Sequence, residues 1–211
     1  MKEQAGWFMS GEHTTQATEA RYPVVVPGER VYLSLVRRDD APLFAQWFHD
    51  LELTAYLGAS GMAFSLEQEQ DFVDRVARQQ DVRTFAIVVR ESQRMIGTVS
   101  LMDINDRHGV ATLGIAIGDR SAWGQGYGSE AVRLMCRYGF TFLNLYHIRL
   151  WHVGFNERGH HAYLKAGFRE AGRLHGVVAF NGKRYDEVLM EITRDDIDAD
   201  LAFMIGQLGS E

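Results

Sequence analysis

The order of apolar and polar positions predicts that the folded part of the chain opens with a strand and then a helix. In residues 30–36, RVYLSLV, apolar and polar side chains alternate, which is typical of a half-buried strand. The apolar face of that strand consists of Val31, Leu33 and Leu35. A helix is predicted next, because Asp39 or Asp40 can serve as its N-cap and Pro42 suits its first turn. Its apolar positions have helical spacing and are Leu43, Phe44, Trp47 and Phe48.

A second helix and three strands are predicted in the next third of the chain. Ser65 and Gln68 resemble a capping box, and the apolar residues behind them predict a helix that runs to about Gln80. Strand-like runs follow at residues 83–90, 94–103 and 110–118, and the gaps between them carry turn-prone residues. Gaps this short indicate an antiparallel meander.

A glycine-rich loop follows the meander. The stretch GDRSAWGQGYGSEA, residues 118–131, places Gly124, Gly126 and Gly128 at alternate positions before a helical pattern. Glycines at a helix start let phosphate oxygens reach unpaired N–H groups without meeting a Cβ. The P-loop pattern fails because no Gly-Lys-Ser/Thr ending follows, and the dinucleotide fingerprint lacks its strand context and its acidic residue. Spacing alone leaves a phosphate site and an ordinary tight connection open.

The last third of the chain predicts a strand, a helix and a hairpin. His147 and His152 flank one predicted strand on opposite faces, which argues against joint metal ligation. Asn156 is a suitable N-cap for a helix over residues 157–165. The Asn181-Gly182 pair is a strong hairpin signal.

Composition limits the class of protein. The 211 residues, 46% of them hydrophobic, suffice for one domain with decorated ends, and the net charge of −6 argues against a nucleic-acid partner. The single Cys136 excludes a disulfide within the chain and favours a reducing, cytoplasmic compartment. No apolar run reaches the length of a membrane span, so no membrane association is expected.

Three blocks of the sequence resemble the GNAT superfamily of N-acetyltransferases, in particular the branch with ribosomal-protein N-terminal and polyamine acetyltransferases. Residues 113–140 are similar to its acetyl-CoA-binding strand, loop and helix. Residues 153–168, VGFNERGHHAYLKAGF, resemble its N-x-x-A/S-x-x-x-Y-x-K-x-G-F signature, and residues 180–192 its last hairpin. The resemblance covers residues 28–193, with an N-terminal extension over 1–28, an acetyltransferase domain over 29–193 and a tail over 194–211. Tail residues Leu201, Met204, Ile205 and Leu208 suit one face of an amphipathic helix for homodimer or self-docking contacts.

The resemblance implies an α/β (α+β) three-layer fold, with helices flanking a mixed, mostly antiparallel, splayed sheet. It implies acetyl-CoA as cosubstrate, no metal, and direct transfer in a ternary complex to a small amine or a protein N-terminus. The strand N–H near Ile115 would polarise the thioester carbonyl, and Tyr163 would protonate the leaving thiolate. The implied cofactor-binding residues are Ile115, Ile117, Trp123, Gly124, Gln125, Gly126, Tyr127, Gly128, Ser129, Asn156 and Tyr163.

The sequence departs from the family pattern at three positions. Trp123 replaces the usual Arg or Gln, so anion binding would rely on backbone amides. Thr112 stands where relatives often have Glu, which removes the usual candidate base and suggests an alternative, a catalytically idle acyl-CoA-binding or regulatory module. Gly159 replaces Ala or Ser at the start of a helix, at a cost of up to about 1 kcal/mol.

Overall fold

The computed structural model describes residues 21–59 and 61–197. Its helices are α1 (Ala41–Phe48), α2 (Leu51–Tyr56), α3 (Leu66–Val76), α4 (Tyr127–Phe142) and α5 (Glu157–Ala166). Its strands are β1 (Val31–Leu35), β2 (Arg83–Val89), β3 (Arg94–Asn105), β4 (Val110–Ile117), β5 (His147–Val153), β6 (Arg169–Phe180) and β7 (Lys183–Thr193).

The strands form one sheet in the order β1-β2-β3-β4-β5-β7-β6. Strands β1 to β4 pair antiparallel in sequence, and the pairing of β2, β3 and β4 confirms the predicted three-strand meander. Strand β5 pairs parallel to β4 through the crossover helix α4, and then antiparallel to β7. The prediction of a mixed, mostly antiparallel sheet is therefore confirmed.

Helices cover both faces of the sheet, which makes three layers. One core lies between the sheet and α4 and α5, and the other lies between β1 to β3 and the helices α1 and α3. This arrangement corrects the expectation for β1: it is not half-buried, because Tyr32 and Ser34 are as buried as Val31 and Leu33. Leu35, expected on the apolar face, is 54% exposed at the end of the strand.

Local sequence signals position most of the elements. The side-chain oxygen of Ser65 accepts a hydrogen bond from the Gln68 amide, and Gln68 reciprocates, so the predicted capping box begins α3. That helix ends at Val76, four residues short of the expected Gln80. The hairpin between β6 and β7 turns at Asn181 and Gly182, both with positive φ, as predicted. Helix α2 had no predicted counterpart.

The two predicted terminal segments are described only in part. Of the extension over residues 1–28, Val26 forms a β-bridge with Leu33 and Tyr22 is buried. The apolar face predicted for the tail lies outside the described residues. The three-part division of the chain stays a prediction.

The sheet opens between β4 and β5. The two strands pair only from Val110 with His147 to Thr112 with Arg149. Beyond Thr112 the strands part, while β4 continues to Ile117 and β5 to Val153. The predicted splay of the sheet thus exists in the fold, and beyond Thr112 it leaves one edge of β4 without a strand partner among the described residues.

Candidate active site

A cleft of about 240 Å³ occupies the opening between β4 and β5. Its walls come from the end of β4, the loop to α4, the first turns of α4 and α5, and helix α2. Nine residues of the predicted site line it: Ile115, Ile117, Trp123, Gly124, Gly126, Gly128, Ser129, Asn156 and Tyr163. The fold therefore gathers into one cavity residues that lie up to 48 positions apart, from Ile115 to Tyr163.

The free edge of β4 points into this cleft. The Trp123 indole Nε1–H donates to the Ile117 carbonyl oxygen at 2.7 Å, so that carbonyl points away from β3. Backbone groups of residues two apart in a strand point the same way, and the N–H of Ile115 therefore lies on the same edge. This is a donor suited to a carbonyl oxygen or to an extended ligand that adds to the sheet.

The first turn of α4 presents unpaired backbone N–H groups to the cleft. Gly126 is the N-cap and has a left-handed backbone with φ of 83°, and no side chain caps the helix. Among the described residues, no acceptor pairs with the N–H groups of Tyr127, Gly128 or Ser129. These donors, together with the positive end of the helix dipole, form a site for an anion.

The glycines of this loop have different requirements. Gly124 and Gly126 have φ values of 73° and 83°, so the turn itself favours glycine there. Gly128 has no such φ, and a Cβ on it would meet only Ile117 Cγ1 at 3.8 Å, an ordinary contact. Nothing in the described fold requires glycine at position 128. A ligand that approaches the main chain closely would require it.

Arg30 braces the loop from outside the cleft. Its guanidinium donates to the Gln125 carbonyl oxygen at 2.8 Å and lies 4.5 Å from the centroid of the Tyr127 ring. Gln125 and Tyr127, two predicted cofactor-binding residues, are not among the residues that line the cleft. Their backbone amides remain part of the loop.

Asn156 caps α5 at the floor of the cleft. Its Oδ1 accepts from the Gly159 N–H at 2.9 Å, as an N-cap should. A Cβ at position 159 would lie 2.7 Å from Asn156 Nδ2. Gly159 thus makes room for the cap, which is the physical reason for this departure from the family pattern.

Tyr163 lies on α5 with its ring buried and its hydroxyl facing the cleft. The side chain is 9% exposed and packs against the rings of His152 and Phe168. Among the described residues, no partner lies within hydrogen-bond distance of its hydroxyl. Burial raises the pKa of Tyr163 to about 12, so the group is protonated at neutral pH and can donate a proton.

Cationic and aromatic groups that the sequence patterns did not reveal also line the cleft. Arg158, in the first turn of α5, reaches over the ring of Trp123 at 3.7 Å and that of Tyr56 at 4.8 Å. Lys165 adds a second cation. No acidic side chain of the described residues lines the cleft, and Thr112, the position where relatives often carry Glu, accepts from Arg149.

His152 and His160 lie behind this cleft, whereas His161 lines it. His152 and His160 form a hydrogen bond of 3.0 Å in a second, polar cavity, while His147 pairs with Glu191 on the opposite face of β5. Because His152 Nδ1 donates to the Val153 carbonyl, its Nε2 accepts from His160 Nδ1. Within residues 21–59 and 61–197, no cluster of three potential ligands could hold a metal ion, and no helix could cross a membrane.

Comparison with known proteins identifies the family that shares this arrangement. The model of a family described as "Acetyltransferase (GNAT) domain" matches residues 30–169. The chain is 32% identical over 120 residues to an uncharacterized N-acetyltransferase, p20, of Bacillus licheniformis, covering 56% of this chain and 66% of that protein. It is 34% identical over 120 residues to a spermidine N(1)-acetyltransferase of Escherichia coli, covering 57% of this chain and 63% of that protein.

A solved structure shares the fold. A spermidine N-acetyltransferase of Vibrio cholerae, crystallised with CoA and spermine, superposes with a TM-score of 0.73 at 24% identity. The match covers 80% of this chain and 98% of that one. The sequence alignments span just under two thirds of the two curated relatives above, whereas the structural match spans almost the whole of the Vibrio chain.

Proposed function

The chain belongs to the GNAT family of acetyl-CoA-dependent N-acetyltransferases, and we propose that it acetylates a primary amine of a small cationic acceptor by direct attack in a ternary complex. The observation that carries this proposal is the free edge of β4 beside the unpaired amides of α4. One cleft thereby offers a donor for a thioester carbonyl and a set of donors for a diphosphate.

The cofactor would lie along the opening of the sheet. Its diphosphate would accept hydrogen bonds from the backbone amides of residues 125–129, and Lys165, which also lines the cleft, would add positive charge. The pantetheine arm extends beside β4 like an added strand, with Asn156 near its other side. The acetyl carbonyl then comes next to the backbone N–H of Ile115.

The transfer needs a hydrogen-bond donor for the oxyanion, an acid for the leaving sulfur and a route for the proton of the amine. The neutral amine nitrogen attacks the thioester carbon, and the N–H of Ile115 stabilises the oxyanion that develops. As the C–S bond breaks, the Tyr163 hydroxyl protonates the sulfur, so that CoA leaves as a thiol. Since no carboxylate lines the cleft among the described residues, the proton of the amine passes to water, from which Tyr163 recovers its own.

The acceptor class rests on charge and on a relative. The chain carries a net charge of −6, which favours a cationic partner over an acidic one. The Escherichia coli relative at 34% identity bears the name of a spermidine acetyltransferase. A protein N-terminus remains the other acceptor in the same reaction class.

Thiol release measured with the full chain, acetyl-CoA and a panel of diamines, polyamines and N-terminal peptides tests this proposal. Turnover with small amines, and its loss in Tyr163→Phe, is the expected result. Tight CoA binding without turnover on any amine would instead support the idle module that Thr112 suggests.

A further inference from the structure

The rings of Tyr56 and Trp123 lie side by side at the wall of the cleft. The two rings meet nearly perpendicular, at 83° and 6.1 Å between centroids. The guanidinium of Arg158 lies 3.7 Å from the Trp123 centroid and 4.8 Å from that of Tyr56. Ring faces attract cations of any kind, including alkylammonium ions.

Within residues 21–59 and 61–197, Arg158 has no charge partner. Among the described residues, its side chain makes neither an ion pair nor a hydrogen bond, so the two rings are what hold it. Its long side chain gives up rotamer freedom to lie there, which offsets part of the attraction. An ammonium group of the amine substrate, which makes further contacts in the cleft through the rest of its molecule, can therefore displace the Arg158 guanidinium from the rings.

An ion-paired group of three side chains lies beside the ring pair. Arg120 lies 5.2 Å from the Trp123 centroid and pairs with Asp50 and Glu52, which leaves one net negative charge in that group of three. The hydrogen bond from Arg120 lowers the pKa of Asp50, so its carboxylate stays ionised. This charge favours a cation on the rings further.

The ring pair also lies at a useful distance from the reacting centre. The Trp123 indole donates a hydrogen bond to the Ile117 carbonyl. Ile117 lies two residues along β4 from Ile115, a distance of about 7 Å. If the thioester carbonyl lies at Ile115, a second ammonium of a short diamine can reach the rings while its first nitrogen attacks.

We propose that Tyr56 and Trp123 are the cation subsite of the acceptor, that Arg158 occupies it as an internal ligand in the free enzyme, and that the remote ammonium of a diamine or polyamine displaces it. This inference rests on the proposed function. It adds the residues that select a cationic acceptor and a built-in competitor that sets the acceptor affinity.

Steady-state kinetics with two acceptors of equal length test the subsite. 1,4-Diaminobutane carries a remote ammonium, and 1-pentylamine has a methyl group in its place. Arg158→Ala should lower the KM for diaminobutane about threefold or more and leave kcat and the KM for pentylamine unchanged, whereas the matched control Arg158→Lys keeps a cation on the rings and should resemble the wild type. A KM for diaminobutane that is unchanged or raised in Arg158→Ala overturns the proposal.

A second pair of variants tests the rings. Tyr56→Leu should raise the KM for diaminobutane about tenfold and spare that for pentylamine, and Tyr56→Phe, which keeps the ring, should resemble the wild type. The proposal is overturned if Tyr56→Leu raises the KM for both amines equally. It is also overturned if Tyr56→Leu and Tyr56→Phe change the KM for diaminobutane equally.

Calorimetric titration with tetramethylammonium separates this inference from the proposed function. If neither amine releases thiol, the proposed acetylation of small amines fails, and the titration still decides the subsite. Tighter binding to Arg158→Ala than to the wild type, and its loss in Tyr56→Leu, supports the ring pair as a cation site. Equal or absent binding in the wild type and Arg158→Ala overturns it.

Discussion

Substitution of Gly128 separates stability from cofactor binding. In Gly128→Ala the new Cβ meets only Ile117 Cγ1 at 3.8 Å, and the backbone has no positive φ, so the fold accepts the methyl group. Alanine in the first turn of α4 should stabilise the protein slightly, by up to about 1 kcal/mol, because it restricts the unfolded chain more than glycine does. The same methyl group would stand between the diphosphate and the N–H donors around it.

The expected loss in affinity follows from those donors. A hydrogen bond to a charged group contributes about 1.5–3 kcal/mol, so the loss of one should weaken CoA binding about tenfold or more. Isothermal titration calorimetry with CoA gives the dissociation constant, and thermal unfolding of the free protein gives the stability. We expect weaker binding together with an equal or higher Tm.

Gly139 on the same helix provides the matched control. A Cβ there would lie 2.9 Å from Leu101 Cδ1 and 3.2 Å from the Cδ1 atoms of both Ile148 and Leu145, so Gly139→Ala should overpack the core and cost about 1 kcal/mol or more. Its affinity for CoA should stay that of the wild type. The reasoning is refuted if Gly128→Ala binds CoA as the wild type does, or if both variants weaken binding equally.

Three further changes test other parts of the site. Arg30→Ala removes the brace on the Gln125 carbonyl and should raise the KM for acetyl-CoA about three- to tenfold with kcat nearly constant; a fall in kcat alone would argue against a positioning role. Tyr163→Phe should lower kcat about a hundredfold or more, and because burial raises the pKa of Tyr163 to about 12, the wild-type rate should not fall between pH 8 and about 10; an active Phe variant would exclude Tyr163 as the acid. Burial lowers the pKa of His152 below its ordinary value of about 6.5, so its contribution to stability is full above about pH 6.5 and is lost as the pH falls from there through the lowered pKa of the folded state. Between pH 8 and 5 the Tm of the wild type should therefore fall more than that of His152→Gln, and parallel curves would show that His152 is not the source of this pH dependence.

Periodicity and short local signals in the sequence were sufficient to predict most of the helices and strands. The strand-like runs of β2 to β4, the Ser65 capping box and the Asn181-Gly182 turn each depend on neighbouring residues, and each has its predicted structure. The error at β1 has a tertiary cause. Helix α1 covers the side of the sheet that alternation assigned to solvent, and it can do so closely because Gly118 leaves room for the Trp47 ring, which a Cβ would approach to 2.0 Å.

The site was predictable where its chemistry lies in the backbone. The glycines of the loop and the signature around Asn156 and Tyr163 mark the cleft in the sequence, although the assignment of roles to them stays a prediction. Arg158 and Tyr56 gave no such signal. They lie 102 positions apart in the chain. Only the packing of α2 against the first turn of α5 brings the guanidinium of Arg158 over the ring of Tyr56.

The crystal structure of the full chain with CoA is the most direct measurement of the central claim. We expect the diphosphate oxygens within hydrogen-bond distance of the backbone amides of residues 125–129, and the sulfur between the N–H of Ile115 and the hydroxyl of Tyr163. A diphosphate bound away from the first turn of α4, or a pantetheine arm outside the opening between β4 and β5, would contradict the account.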